Sequence, residues 1–335
     1  YVKKFINLEK ETNSQIIEVH NRPIYIQILK NAIKNKVFTL FFHNDPLSMD
    51  GSKTIHERKI LLKTCYKIIF NSAWSKKRFL EGLENKFVNS NKLLIFYQSA
   101  DKGNISVINK KKKWITFVGK LNKAKGYDIF AKAIKKILNK NKDWKALIIG
   151  DEKREKIPLN HKNAKILGFK KHNEVINIFK KTSITVACSR WEEPFGRTSL
   201  EASANGCAVI ITNKGGLPET VTDAKIMSNL NVQTLTKNIQ QLVDDLKLRK
   251  KLQTLSIKNF YLTHQFVTKM IDDYRSEKLN YGKKIFIKNN KKKLRILHVT
   301  NFNERLDGRL FFNTGRRINN GFIRLGHSVL GFSDR

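Results

Sequence analysis

Two short stretches decide the fold: Ser183-Ile-Thr-Val-Ala187, and Glu193-Pro-Phe-Gly-Arg-Thr-Ser-Leu-Glu201 six residues later. The first is a brief apolar run rich in β-branched residues, which reads as a buried strand. The second opens with a loop shaped by Pro194 and Gly196 and continues as a helix from about Arg197. A buried strand followed at once by a helix is the unit of an α/β fold with a parallel sheet. Ligands in such sheets bind beyond the carboxyl ends of the strands, beside helix N-termini whose free N–H groups attract phosphate.

The same alternation extends both ways. Toward the N-terminus, strands are expected over 15–19, 37–42, 66–70 and 93–96, with helices over 24–35, 52–63 and 73–82. After the lysines at 110–113, strands are expected over 114–118, 144–149, near 166, and over 183–187 and 208–212. Helices are expected over 126–139, 173–180, 197–205 and 234–256, then a polar helix ending near residue 274. A lysine-rich linker over 276–293 precedes a fresh strand–helix–strand pattern at 294–300, 313–325 and 328–332. These patterns divide the chain into 1–108, 114–275, the linker, and 294–335. One βαβ unit cannot bury its own faces. The expectation is therefore that 294–335 opens a further domain cut short at residue 335, and that opening strands of the first domain precede Tyr1.

The bulk numbers narrow the functional classes. The chain has 335 residues, 40% of them hydrophobic, enough for about two domains. No apolar run reaches the roughly 18 residues of a spanning helix, and no signal-peptide pattern begins the chain. The 3 cysteines, Cys65, Cys188 and Cys207, have neither disulfide-framework nor metal spacing. Free thiols fit a cytoplasmic protein. Lys+Arg number 66 against 28 Asp+Glu, a net charge of +38. These cations are spread over every helix, beside abundant Asn and Ile, as an AT-rich genome would impose. The runs at 110–113 and 291–293 read as solvated linkers. The charge therefore predicts weak attraction to anionic membrane surfaces rather than a specific nucleic-acid partner.

The chemistry-bearing residues lie at strand ends. Glu193 and Glu201 flank the phosphate-attracting helix start, and carboxylates accept hydroxyl pairs well. The strand over 114–118 ends at Gly119, then Lys120 and Lys125 bracket a short loop before a helix. Glycine admits close backbone approach, and lysines neutralise a diphosphate. In the first unit, His20-Asn21-Arg22-Pro23 and His43-Asn44-Asp45-Pro46 end successive strands. Gly168-Phe169 ends another. No Asp-x-Asp pair stands in a metal-binding context.

The stretch from Glu193 through Ile210, with Gly215-Gly216-Leu217-Pro218-Glu219 behind it, resembles the Glu-x7-Glu signature of glycosyltransferase family four. The resemblance is dense over 114–222. It implies the GT-B fold, two Rossmann-like domains facing a cleft. It implies a retaining, metal-independent transferase that needs no cofactor, with a nucleotide diphosphate-sugar as donor and a glycan or lipid-linked acceptor. Glu193 would contact the donor sugar with Phe195, Gly196 and Arg197 around it, Glu201 the ribose, and Gly119, Lys120 and Lys125 the diphosphate. Lys120 stands where the family normally has Arg. Gly168 and Phe169 would offer backbone to the base, and His43 would act catalytically beside the transferred sugar. His20, Arg22, Asn44 and Asp45 would line the acceptor side. Residues 294–335 resemble the start of another glycosyltransferase, through His298-Val299-Thr300 and the segment from Gly308 to Gly315. Two rivals are a nucleotide-sugar epimerase of the same fold and a basic nucleic-acid-binding protein. The first would need an acidic catalytic set not seen here. The second would interleave aromatic and basic residues on a strand face, whereas the aromatics here fall in apolar positions.

Overall fold

A computed structural model of the chain describes residues 2–12, 14–33, 35–279, 293–300, 314–325 and 327–333. In chain order these run α1 (Val2–Thr12), β1 (Ile16–His20), α2 (Pro23–Ala32), β2 (Val37–Phe42), α3 (Ile55–Thr64), β3 (Lys67–Phe70), α4 (Ala73–Leu80) and β4 (Leu93–Ile95). There follow β5 (Lys112–Val118), α5 (Tyr127–Lys140), β6 (Lys145–Ile149), β7 (Ala164–Ile166), α6 (His172–Lys181), β8 (Thr182–Ala187), α7 (Arg197–Ala204), β9 (Ala208–Thr212) and β10 (Ala224–Met227). The rest is α8 (Val232–Asp244), α9 (Leu246–Lys258), α10 (His264–Leu279), β11 (Arg295–Thr300), α11 (Thr314–Arg324) and β12 (Ser328–Ser333). They form two compact units, one of residues 98–266, the other of residues 1–97 together with 267–335.

The second unit is a six-stranded parallel sheet in the order β10-β9-β8-β5-β6-β7. Its central strands are apolar on both faces, as helix-covered parallel strands must be. Ile115, Ile148, Ile184, Val186 and Ile210 pack on one side against Phe130, Ile134 and Leu138 of α5 and Leu235 and Ile239 of α8. Ile149, Val209 and Ile211 pack on the other against Val175 and Phe179 of α6 and Ala202 of α7.

Two expectations fail here for physical reasons. The lysine run at 110–113 is not a solvated linker. Lys112 and Lys113 already belong to β5, and the Lys111 amine donates to the carbonyls of Phe179 and Asn205, at 2.8 and 2.7 Å. Those carbonyls close the last turns of α6 and α7, where the helix dipole favours a cation. The boundary between units accordingly falls at residue 97, before the run. The single helix expected over 234–256 is two. Asp245 ends α8 and its carboxylate accepts the Leu248 N–H to start α9.

The first unit carries the larger surprise. Its parallel sheet has the order β12-β11-β1-β2-β3-β4. The strand–helix–strand pattern expected to open a further domain therefore extends the first sheet. Every residue of β1 is buried, so its outer edge needs a partner with backbone groups to match. β11 supplies it, with Ile17 opposite Leu297 and Val19 opposite Val299. Leu297, Val299 and Phe332 join the core of Ile17, Val19, Phe42, Ile68 and Phe70. The expected linker is also partly wrong, because residues 276–279 continue α10. Residues 280–292 and 301–313 lie outside the described residues, with most of the Gly308 to Gly315 segment.

Candidate functional site

In the second unit, two strand-to-helix loops lie against each other at the carboxyl ends of β5 and β8. The first leaves Val118 through Gly119, whose φ of 154° suits glycine. It enters α5 at Gly126, with φ of 71°. A Cβ on Gly126 would stand 1.9 Å from the Cys188 carbonyl oxygen. Only a glycine lets the loops close, and close contact is what sets Lys125 over the second loop. The Arg190 and Trp191 N–H groups both donate to the Ala124 carbonyl, at 2.9 and 3.1 Å.

That closure brings the Lys125 amine into an ion pair with the Glu193 carboxylate. The same amine sits 4.9 Å from the Trp191 ring centroid, a cation–π contact. Glu193 is held from behind, because the Gly216 N–H donates to its carbonyl at 2.6 Å. A Cβ on Gly215 would come within 2.2 Å of that same oxygen. The Gly215–Gly216 pair thus fixes the loop. Gly196 then turns the chain at φ of 112° into α7, and no side chain caps this helix start. From its first turn Arg197 donates to Glu201 Oε1 at 2.6 Å, and His172 Nδ1 lies 3.8 Å from the same oxygen.

A cavity of about 220 Å³ opens here, lined among others by Gly119, Lys125, Glu193, Gly196, Arg197 and Thr198. Its floor includes Cys188, whose thiol burial pushes up to about 12. A thiol so held protonated is no nucleophile. Burial raises the Glu201 carboxyl above its usual range, with the Arg197 guanidinium pulling the other way. Among the described residues no cluster of His, Cys, Asp or Glu could hold a metal. The wall has a lysine, one carboxylate, an arginine and an uncapped helix N-terminus, with the Glu201 carboxylate one turn behind, a set suited to a ligand with both phosphates and hydroxyls.

Of the residues marked in sequence, Gly119, Lys125, Glu193, Gly196 and Arg197 line this cavity, and Glu201 stands one turn behind Arg197. Lys120 is exposed and outside the lining. Phe195 is buried at 2% exposure and also outside it. Gly168 follows β7, where its carbonyl accepts the Gly150 N–H at 2.9 Å, and Phe169 is half exposed. Neither lines the cavity. Trp191, His172 and Thr198 were not singled out. Trp191 had a signal, since it stands two residues before Glu193. His172 lay in the loop after Gly168-Phe169, and only the fold brings it to Glu201.

In the first unit, His20 and His43 meet at the ends of β1 and β2. Their rings stack at 5.2 Å and 10°, and His20 Nδ1 lies 2.9 Å from His43 Nε2. The His43 main chain is held by Asn21, whose Oδ1 accepts its N–H at 2.9 Å, and by Asn71, which donates to its carbonyl at 2.9 Å. Asn44 is exposed, and its N–H donates to the same Asn21 oxygen. Asp45 is occupied otherwise than expected. It caps the turn at Pro46–Ser48 and pairs with Arg78 at 3.0 Å. Arg22 donates to the Asn21 carbonyl at 2.8 Å.

Comparison with known proteins shows what the chain is similar to. Residues 98–258 match the family of glycosyl transferases group 1. The match spans nearly all of the second unit. Spore coat protein SA of Bacillus subtilis is 26% identical over 243 residues, 64% of each chain. A protein of Methanocaldococcus jannaschii called uncharacterized glycosyltransferase MJ1178 is 30% identical over 234 residues, 67% of this chain and 58% of its own. The chain thus spans only about three-fifths of these relatives' lengths. Among solved structures, Anabaena Alr3699/HepE in complex with UDP-glucose has a TM-score of 0.67 at 17% identity, covering 82% of each chain. A glycosyltransferase from Rickettsia africae has a TM-score of 0.68 at 20% identity, covering 84% of this chain and 81% of that one. The fold is therefore α/β, with two parallel-sheet Rossmann-like halves matching GT-B glycosyltransferases.

Proposed function

We propose that this protein transfers a sugar from a nucleotide diphosphate-sugar to a glycan or lipid-linked acceptor, with retention of configuration and without a metal. The observation that carries the reading is the Lys125–Glu193 ion pair at the mouth of a cavity that also holds the uncapped start of α7. A donor entering there would place its diphosphate between the Lys125 amine and the α7 N–H groups. Lys125 would then exchange one anion for another, and Glu193 would be released to accept sugar hydroxyls. Arg197 and Glu201 would take the ribose side. The cations already in place would stabilise the leaving diphosphate as its charge develops. His43 would stand beside the transferred sugar. Work at the inner face of a membrane suits a lipid-linked acceptor and the high positive charge.

The test is nucleotide affinity. UDP, GDP and ADP and their glucose conjugates would be screened by thermal shift, followed by calorimetry on the best. At least one should bind, and Lys125→Ala and Glu201→Ala should each weaken it about tenfold or more, the worth of one charge-assisted contact. The reading fails if no nucleoside diphosphate binds, or if both variants bind as the parent does.

A further inference from the structure

The first unit holds a group of buried polar residues on three neighbouring strands. His20 and Glu18 come from β1 and His298 from β11, with His43 at the end of β2. Behind them Arg275 of α10 grips Glu18 with both arms, Nε to Oε1 at 2.8 Å and Nη2 to Oε2 at 2.6 Å. Glu18, His20, His298 and Arg275 are each at most 1% exposed. Burial alone would raise the Glu18 carboxyl, yet Arg275 and His20 bring it down to about 2, so it stays an anion.

That anion decides which nitrogen of His20 carries the proton. His20 Nε2 lies 3.9 Å from Glu18 Oε2 and has no hydrogen-bond partner among the described residues. A bare lone pair aimed at a carboxylate is repelled, and an N–H there is attracted. The proton therefore belongs on Nε2. His20 Nδ1 is then bare and can only accept. At 2.9 Å from His43 Nε2 it accepts that N–H. His20 cannot rotate away, because its ring is stacked on Phe41 at 4.3 Å and 8° and meets His298 edge-on at 4.6 Å.

We propose that His20 is a positioning residue. It relays the Glu18 charge and locks His43 in the Nε2–H neutral tautomer, leaving Nδ1 of His43 as the ring's acceptor. The consequence for chemistry rests on the reading that His43 faces the transferred sugar. A histidine fixed in ring plane and tautomer presents one lone pair in one direction and spends nothing on reorganisation. Burial, with His20 beside it, holds the His43 imidazole down to about 3, so it remains neutral through the working range.

The test reads the tautomer directly, by long-range nitrogen–carbon correlation NMR of the imidazoles in the whole 335-residue chain. In the parent protein His43 should carry its proton on Nε2 at neutral pH; a proton on Nδ1 overturns the proposal without any variant. His20→Phe keeps the ring stack and removes the acceptor, so His43 should lose its fixed tautomer. His20→Asn puts a carboxamide oxygen near the place of Nδ1 and should restore it. An unchanged His43 tautomer in His20→Phe overturns the lock. Slow hydrolysis of UDP-glucose separates the functional reading. It should fall roughly tenfold or more in His20→Phe and recover in His20→Asn, with UDP affinity unchanged. If His43→Ala hydrolyses UDP-glucose as the parent does, the reading of His43 fails while the tautomer lock stands. If His43→Ala loses hydrolysis but His20→Phe leaves the tautomer intact, the lock fails and His43 stands.

Discussion

The two units solve the same architectural problem with different material. The second unit is one unbroken stretch of chain, residues 98–266, and its polar residues gather at loop ends around a cavity. The first is assembled from both ends of the sequence. It buries Glu18, His20, His298 and Arg275 within the sheet and its covering helices. Loop-borne charges cost little to keep, because water and ligand both reach them. Charges buried in a sheet cost several kcal/mol each unless every partner is present. The second unit should therefore tolerate loss of its site residues and lose binding, whereas the first should lose its fold.

The largest effect expected follows from that asymmetry. Arg275→Met would leave the Glu18 carboxylate buried and unpaired, at about 3–5 kcal/mol. It would also remove the guanidinium lying 3.8 Å over the Phe322 ring, which ties α11 to α10. Hydrogen exchange read by mass spectrometry should show protection collapsing in β1 and β11 and unchanged in β8 and β9. The double variant Glu18→Leu with Arg275→Met should recover much of the loss, since an apolar pair of similar volume avoids the unpaired charge. Equal loss in both units, or a single-variant cost below about 1 kcal/mol, would break the comparison.

Acid should weigh on the first unit more than on the second, whose lowered histidines, His161 and His172, are less buried. His20, His43 and His298 all have folded pKa values lowered by burial. The unfolded chain therefore binds more protons below about pH 6.5. The stability these groups lend is complete above that pH and declines as pH falls, by about 1.4 kcal/mol per pH unit for each histidine. Glu18, depressed to about 2, adds a further loss below its ordinary range. Glu201 in the second unit is shifted the other way. Its raised folded pKa is a cost at neutral pH that is relieved as pH falls through it. Exchange protection compared at about pH 7.5 and pH 5.5 should drop in β1 and hold in β8. A uniform drop would mean that the buried histidines do not govern acid stability.

What could be read in the sequence follows the same divide. Five of the second unit's six strands, its glycine turns and five of its cavity residues are legible because each lies within a few positions of the next, whereas β10, half exposed and weakly apolar, is not. Strand, loop and helix start form one local pattern. The first unit's strands were legible as strands, but their neighbours were not. Nothing in Leu294 to Thr300 says that it pairs with Ile16 to His20 across the whole chain, so by itself it reads as the opening of something new. Arg275 looked like one cation among 66, and only burial against Glu18 distinguishes it. Asp45 sat at a strand end with the right chemistry, and the fold gave it to Arg78 and a turn cap instead.

The smallest effect expected tests how far local legibility extends. Lys120 and Lys125 are both diphosphate-ligand candidates in sequence, five residues apart on one loop, with Lys120 standing where the family normally has Arg. Geometry divides them. Lys125 is two-thirds or more covered, paired with Glu193 and stacked on Trp191, whereas Lys120 is exposed and outside the cavity. A solvated lysine acts on an anion mainly through a screened field. Lys120→Ala should therefore weaken UDP binding less than about threefold at physiological ionic strength, and the difference should shrink further as salt is added. Lys125→Ala should keep most of its penalty in salt, because its contact is partly desolvated. Equal losses for the two would mean that the loop closes onto the diphosphate and carries Lys120 in with it. The sequence pattern would then be the better guide to the bound site, and the second unit would owe its binding geometry to a movement.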